Sequence, residues 1–200
     1  MNSNFTISMQ YSLFSILFIV ASFLLAYNFW WRIDYNSAEF FILVLATMIC
    51  WIGIGYLSTL IAGKIIFKTL QEVGFVSPFK LISSGFFYET KGIEIAKKFK
   101  TMFSAFAFPV LMILIFLFYQ IVNFIEKTDL AYYGVEKMAK IEKISYFKGV
   151  KRGHITFEFG NYKIKKIVYL SDTLKNVGDY EAIVFSSRNP YIVENLSEYK

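Results

Sequence analysis

The chain has 200 residues, 56% of them hydrophobic, 20% aromatic and only 18% charged, a balance outside the range of soluble globular domains. Its net charge of +6 is concentrated in one loop between apolar runs and in a mixed-charge tail, which implies no nucleic-acid partner. The single cysteine, Cys50, lies inside an apolar run and excludes both an intramolecular disulfide and a cysteine-based metal cluster.

From Phe5 to Trp31 no charged residue occurs, and the absence of a basic n-region predicts a retained helix over 5–31 in place of a cleaved signal peptide. Phe40 to Ala62 and Thr101 to Ile125 are two further uncharged runs, each longer than the ~20 residues a helix needs to cross about 30 Å of hydrocarbon. Unpaired amides are costly in lipid and a lone apolar strand cannot close a barrel, so all three are expected to be transmembrane helices. Trp30 and Trp31 close the first span with amphipathic rings suited to the interface. Gly53 and Gly55 permit close approach along the second, and Pro109 is expected to bend the third.

The connections predict an orientation. Arg32 to Glu39 carries one basic residue and two acids, Asp34 and Glu39, whereas Lys64 to Lys100 carries seven lysines and three glutamates. The positive-inside rule puts the second connection in the cytoplasm, with Lys64, Lys68, Lys97, Lys98 and Lys100 at the membrane interface. The N-terminus is then cytoplasmic, and everything after Ile125 lies outside: in the periplasm if the membrane is a bacterial inner membrane, otherwise in the extracellular space. Residues 64–100 read as a cytoplasmic helical hairpin, Lys64 to Val73 prolonging the second helix and Ile93 to Thr101 leading into the third. Between them Phe75, Pro78, Phe79, Leu81, Ile82, Phe86 and Phe87 are expected to lie on the membrane or to meet a partner.

Beyond Ile125 the composition changes: thirteen basic and ten acidic residues occur among the last seventy-five. Short alternating apolar runs predict a compact domain of about five strands, barrel-like or sandwich-like, over 126–200. An irregular first strand is expected at Lys137 to Phe147 and a second at His154 to Phe159, with Ile155, Phe157 and Phe159 on one face. Gly160 and Asn161 turn the chain into a third strand, Tyr162 to Leu170, where a phase shift at Lys165 and Lys166 predicts a bulge. Glu181 to Phe185 reads as the fourth strand and Tyr191 to Val193 as the fifth. The structural turns are placed at Gly178 and Asp179 and at Asn189 and Pro190.

The hairpin, then Val177-Gly178-Asp179 before a strand, then Arg188-Asn189-Pro190 before a last short strand, resembles the domain-of-unknown-function 3592 family over roughly the final seventy residues. The resemblance implies a small β-sandwich or barrel paired with transmembrane helices, and it supplies no activity and no catalytic residues.

Chemistry is sparse. No glycine-rich phosphate loop, nucleophile elbow or pair of metal-binding histidines occurs, so no catalytic, cofactor or metal residue is assigned. The one histidine, His154, would need a carboxylate such as Asp172 beside it for acid-base work. The three apolar runs carry no charge that would mark an ion path. Asn-X-Ser/Thr patterns at Asn4 and Asn195 matter only in a glycosylating secretory pathway. The expected role is a non-enzymatic membrane scaffold or adaptor, in contact with membrane lipid, whose β-domain meets a protein partner or a second copy through an exposed strand edge or an aromatic face. The alternatives are an envelope immunity factor against a toxin and an auxiliary subunit of a transport or secretion complex.

Overall fold

The computed structural model describes residues 3–32, 38–67, 74–83, 91–170 and 172–199. Lys68, Asp34, Phe86 and Phe87 lie outside the described residues, as does most of the predicted extension from Lys64 to Val73. The elements run α1 (Ser3–Trp30), α2 (Ala38–Ile66), α3 (Pro78–Ser83), α4 (Ile93–Tyr133), β1 (Gly134–Phe147), β2 (Val150–Phe159), β3 (Tyr162–Tyr169), β4 (Tyr180–Ser186), β5 (Val193–Asn195) and α5 (Leu196–Tyr199). The chain divides into two units, Met1–Trp30 with Phe40–Tyr119, and Trp31–Glu39 with Gln120–Lys200.

In the first unit α1, α2 and α4 are each long and apolar enough to cross a membrane. Most of their side chains face outward, including Phe41, Met48, Met112 and Phe116. That is the arrangement hydrocarbon favours, since burying a leucine against another helix gains little over burying it in acyl chains. The helices touch where side chains are small. A Cβ added at Gly53 would lie 3.0 Å from both the Ser15 carbonyl oxygen and the Ile19 nitrogen of α1, so glycine sets the closeness of α1 and α2. Pro109 is accommodated inside a continuous α4.

The aromatic connection is partly folded onto these helices. Tyr11, fully buried on α1, donates its hydroxyl to the carbonyl of Val76 at 3.0 Å, and the Val76 amide donates back to the same oxygen at 3.0 Å. Phe75 packs its ring on Tyr11 (5.1 Å), Phe14 (5.4 Å) and Tyr56 (6.0 Å), and Pro78 is buried. Pro78 therefore packs inward, while Phe75 rests on the helix rings and stays partly exposed, as does Phe79. A phenol hydroxyl in apolar surroundings needs a partner, and the loop backbone supplies it.

The second unit is a five-stranded antiparallel sheet, in the order β3-β2-β1-β4-β5, curled into a half-barrel. Its concave face carries the core: Ala139, Ile141, Ile155, Phe157, Ile164, Val168, Ile183 and Phe185, with Phe159 and Val193 against them. Each fully buried isoleucine or phenylalanine contributes roughly 1.5–3 kcal/mol. Ile155, Phe157 and Phe159 share this face as their alternation predicts.

Several boundaries differ from the sequence reading. Helix α4 continues to Tyr133, eight residues past the apolar run, and passes directly into β1 at Gly134. Its last turns are held by tertiary bonds: the Ser186 hydroxyl donates to Asp129 Oδ2 at 2.7 Å, and the Ser187 amide donates to the Tyr133 carbonyl at 2.9 Å. β2 begins at Val150, because Lys148 (φ 50°) and Gly149 (φ 81°) form a two-residue hairpin turn that the alternation pattern hides. The bulge lies in β1, between Ile141 and Lys143, while β2 and β3 pair without interruption from Arg152↔Tyr169 to Phe159↔Tyr162. The phase shift at Lys165 and Lys166 instead turns Lys166 toward the core side of β3, in register with Ile164 and Val168. β5 is Val193–Asn195, two residues later than expected, since Asn189 to Ile192 form a turn closed by the Ile192 amide on the Asn189 carbonyl.

The turn before β4 matches its sequence signature. Gly178 has φ 99°, its amide donates to the Ile141 carbonyl at 2.9 Å, and the Asp179 carbonyl accepts from the Ile141 amide at 2.8 Å. The Asp179 carboxylate accepts from the Asn176 amide at 2.7 Å. Because a Cβ disfavours positive φ, Gly178→Val should lower the stability of the full-length protein by about 1–2 kcal/mol or more. The check is denaturation in detergent; an unchanged midpoint would count against a left-handed turn.

Candidate interaction surface

β1 leaves α4 at Gly134 and runs fourteen residues to Phe147, roughly 45 Å of extended strand before curvature. The β1–β2 hairpin tip is therefore at the far end of the sheet from the end of α4. Here the loop between β3 and β4 is tied to the hairpin, because Lys151 Nζ donates to the carbonyls of Thr173 and Lys175, both at 2.6 Å. The Asp172 carboxylate accepts from the Leu174 amide at 2.8 Å, which fixes the loop internally.

Bonded in this way, the hairpin and loop present apolar side chains to solvent. Leu174 is 81% exposed and Tyr146 69%; Phe147, Val150 and Val177 are also exposed, with Phe147 on the face of β1 opposite to Tyr146. None of these contributes to the domain core, so their exposure is not a by-product of packing. Two cations flank Phe147. The Arg152 guanidinium lies 4.2 Å from the Phe147 ring and 5.0 Å from that of Tyr169, and it donates to the Tyr169 hydroxyl at 3.1 Å. Lys148 Nζ sits 5.5 Å from the Phe147 ring. Arg152 thus holds two aromatic rings in place while keeping its charge at the surface.

The sheet edges are less available than the sequence suggests. The curl brings β5 toward β3, and Asn195 Nδ2 donates both to the Tyr169 carbonyl of β3 (2.8 Å) and to Glu181 Oε1 (2.9 Å). Glu181 is 1% exposed, and Lys175 Nζ lies 3.2 Å from its Oε2. The buried Asn195 amide is engaged on both sides, which removes it as a glycosylation acceptor in the folded domain.

The remaining sequence-predicted residues fall as follows. The Asn189 side chain accepts from the Tyr191 amide at 3.3 Å, and Pro190 continues that turn. The Arg32 guanidinium lies over the Tyr191 ring at 5.3 Å. Trp30 packs edge-on to Phe118 at 5.4 Å, while Trp31 is buried within the second unit and does not stand out as an exposed anchor. Lys64, Lys97, Lys98 and Lys100 are all exposed.

His154 Nε2 lies 3.0 Å from Ser145 Oγ, on the convex face, and the Asp172 carboxylate is engaged by its own turn. The structure does not bring His154 and Asp172 together as a bonded pair. Also on the convex face, Lys163 holds the Glu142 carboxyl below its ordinary range through a contact of 3.2 Å. Among the described residues no group of three metal-ligating side chains occurs.

What the sequence reading missed is the Lys148-Gly149 turn, whose signal was present in glycine after lysine between two apolar runs. The tip it creates is the surface described here. Comparison with known proteins finds no matching family model, curated protein or solved structure.

Proposed function

We propose that this chain is a membrane-anchored adaptor without enzymatic activity, whose β-domain engages a protein partner through the β1–β2 tip and the adjoining 172–179 loop. The observation that carries this reading is the exposure of Tyr146, Phe147, Val150 and Leu174 at the hairpin end of the sheet, with Lys148 and Arg152 beside Phe147. Large apolar side chains exposed at one end of a domain often mark an interaction site. The flanking cations favour a partner segment that combines acidic and apolar residues. Anchoring confines the domain to one membrane, so a weak contact is effective at low abundance.

In this proposal the N-terminus and the lysine-rich connection of residues 64–100 are cytoplasmic, and the β-domain lies outside the cytoplasm, at a bacterial inner membrane in its periplasm. The support is the excess of lysine in that connection. The likeness of the last seventy residues to the domain-of-unknown-function 3592 family, which rests on the hairpin, Val177-Gly178-Asp179 and Arg188-Asn189-Pro190 in that order, favours the same anchored-domain reading.

One experiment tests both parts. Leu174→Cys is made in a Cys50→Ser background, and a membrane-impermeant maleimide photocrosslinker is added to intact cells. The expected outcome is labelling of the intact cells and a protein adduct on illumination. Labelling only after lysis would place the domain in the cytoplasm, and labelling that yields only lipid adducts would remove the adaptor reading.

A further inference from the structure

Within the first unit, α1, α2 and α4 do not close on one another along their whole length. Where Ser22 and Ala26 of α1 face Ala46 and Cys50 of α2, small side chains leave a cavity of about 320 Å³, with Leu114 and Phe118 of α4 as the third wall. This volume is in the range of small-molecule sites.

Its shape follows from the helices. The α1 lining runs from Ser22 to Trp30 and the α4 lining from Leu111 to Tyr119, nine residues and eight helical rises in each case, which makes a slot about 12 Å long parallel to the helix axes. It is open along one side, where Ile115 and Tyr119 are exposed. The walls are mainly hydrocarbon and aromatic ring, and the Thr47 hydroxyl among them donates to the Leu43 carbonyl at 2.9 Å. At one end stand Ser22 and Cys50, both buried. At the other end stand the Trp30 indole and the Tyr119 phenol, which each pair an apolar ring with a polar edge.

We propose that this slot binds one acyl chain of a membrane phospholipid. Water is a poor occupant, because an apolar cavity offers it no hydrogen-bond partners and stays dry. The slot lies within the uncharged runs that place all three helices in hydrocarbon, so its open side faces acyl chains, which lie parallel to those helices and could enter it for part of their length. The polar edges of Trp30 and Tyr119 then mark the end at which the chain continues toward its headgroup. The inference depends only on the membrane-spanning helices and is independent of what the β-domain binds.

The test uses the full chain in nanodiscs of phosphatidylethanolamine and phosphatidylglycerol, with a fraction of the lipid carrying a diazirine midway along one chain. After illumination, peptide mass spectrometry compares adducts on Ala46, Cys50 and Leu114 with adducts on the outward-facing Phe41, Met48, Met112 and Phe116, which report ordinary contact with bulk lipid. The slot residues should be labelled at least as strongly as the outward set, and Ala46→Phe, which fills the slot, should reduce slot labelling several-fold without changing the outward residues. Ala26→Leu fills it from the opposite wall and should do the same, so the proposal stays testable if one variant fails to insert. Labelling confined to the outward residues, or slot labelling indifferent to both fillings, would overturn the assignment.

Discussion

Lys175→Met is expected to destabilise the protein by about 3 kcal/mol, the cost of taking a counter-charge away from a buried carboxylate. Glu181 points to the core side of β4, in line with Ile183 and Phe185, and is 1% exposed. Its carboxylate is balanced by Lys175 at 3.2 Å and by the Asn195 amide at 2.9 Å. Removal of the ammonium takes away one of the groups that offset the hydration the carboxylate loses on burial. Lys175 is itself partly exposed, at 24%, which places the effect at the lower end of the range for broken buried pairs.

The double variant Lys175→Met with Glu181→Leu distinguishes this cause from a general defect. With both charges gone the site becomes apolar, and most of the lost stability should return, since hydrophobic replacement of a buried pair is often neutral. Chemical denaturation of the full chain in detergent, with hydrogen exchange at β4 and β5 to localise the loss, is the measurement. A neutral single variant, or a double variant as unstable as the single, would show that Lys175 does not sustain Glu181.

The second large effect is expected at the junction between helix and sheet. A Cβ added at Gly134 would lie 2.3 Å from the Leu130 carbonyl oxygen and 3.0 Å from Val184 Cγ2. The carbonyl is backbone and cannot rotate away, so Gly134→Ala must displace either the last turn of α4 or the first residues of β1. Both are fixed by the bonds of Asp129 to Ser186 and of Tyr133 to Ser187. The expected cost is about 1–3 kcal/mol, as for overpacking elsewhere, together with faster hydrogen exchange at residues 130–136 and 184–187. Exchange unchanged at those residues would mean that the junction tolerates a side chain and is not a fixed corner.

What the sequence determined by itself is the division into lipid-soluble helices and a water-soluble β-domain. Transfer of an uncharged run of more than twenty residues into hydrocarbon depends on composition, and composition is visible without knowing any contact. The alternation of Ile155, Phe157 and Phe159 and the turns at Gly160 and Gly178 were equally legible, because they depend on neighbours within a few residues. The tertiary structure decided where α4 ends, where β1 is bulged, that Glu181 and Asn195 face inward, and that Tyr146 and Leu174 are exposed at one end of the sheet. These follow from contacts such as Ser186 with Asp129, 57 residues apart, and Lys151 with Thr173, 22 apart. Bonds of that reach depend on how the sheet curls, and no local pattern of apolar and polar residues encodes them.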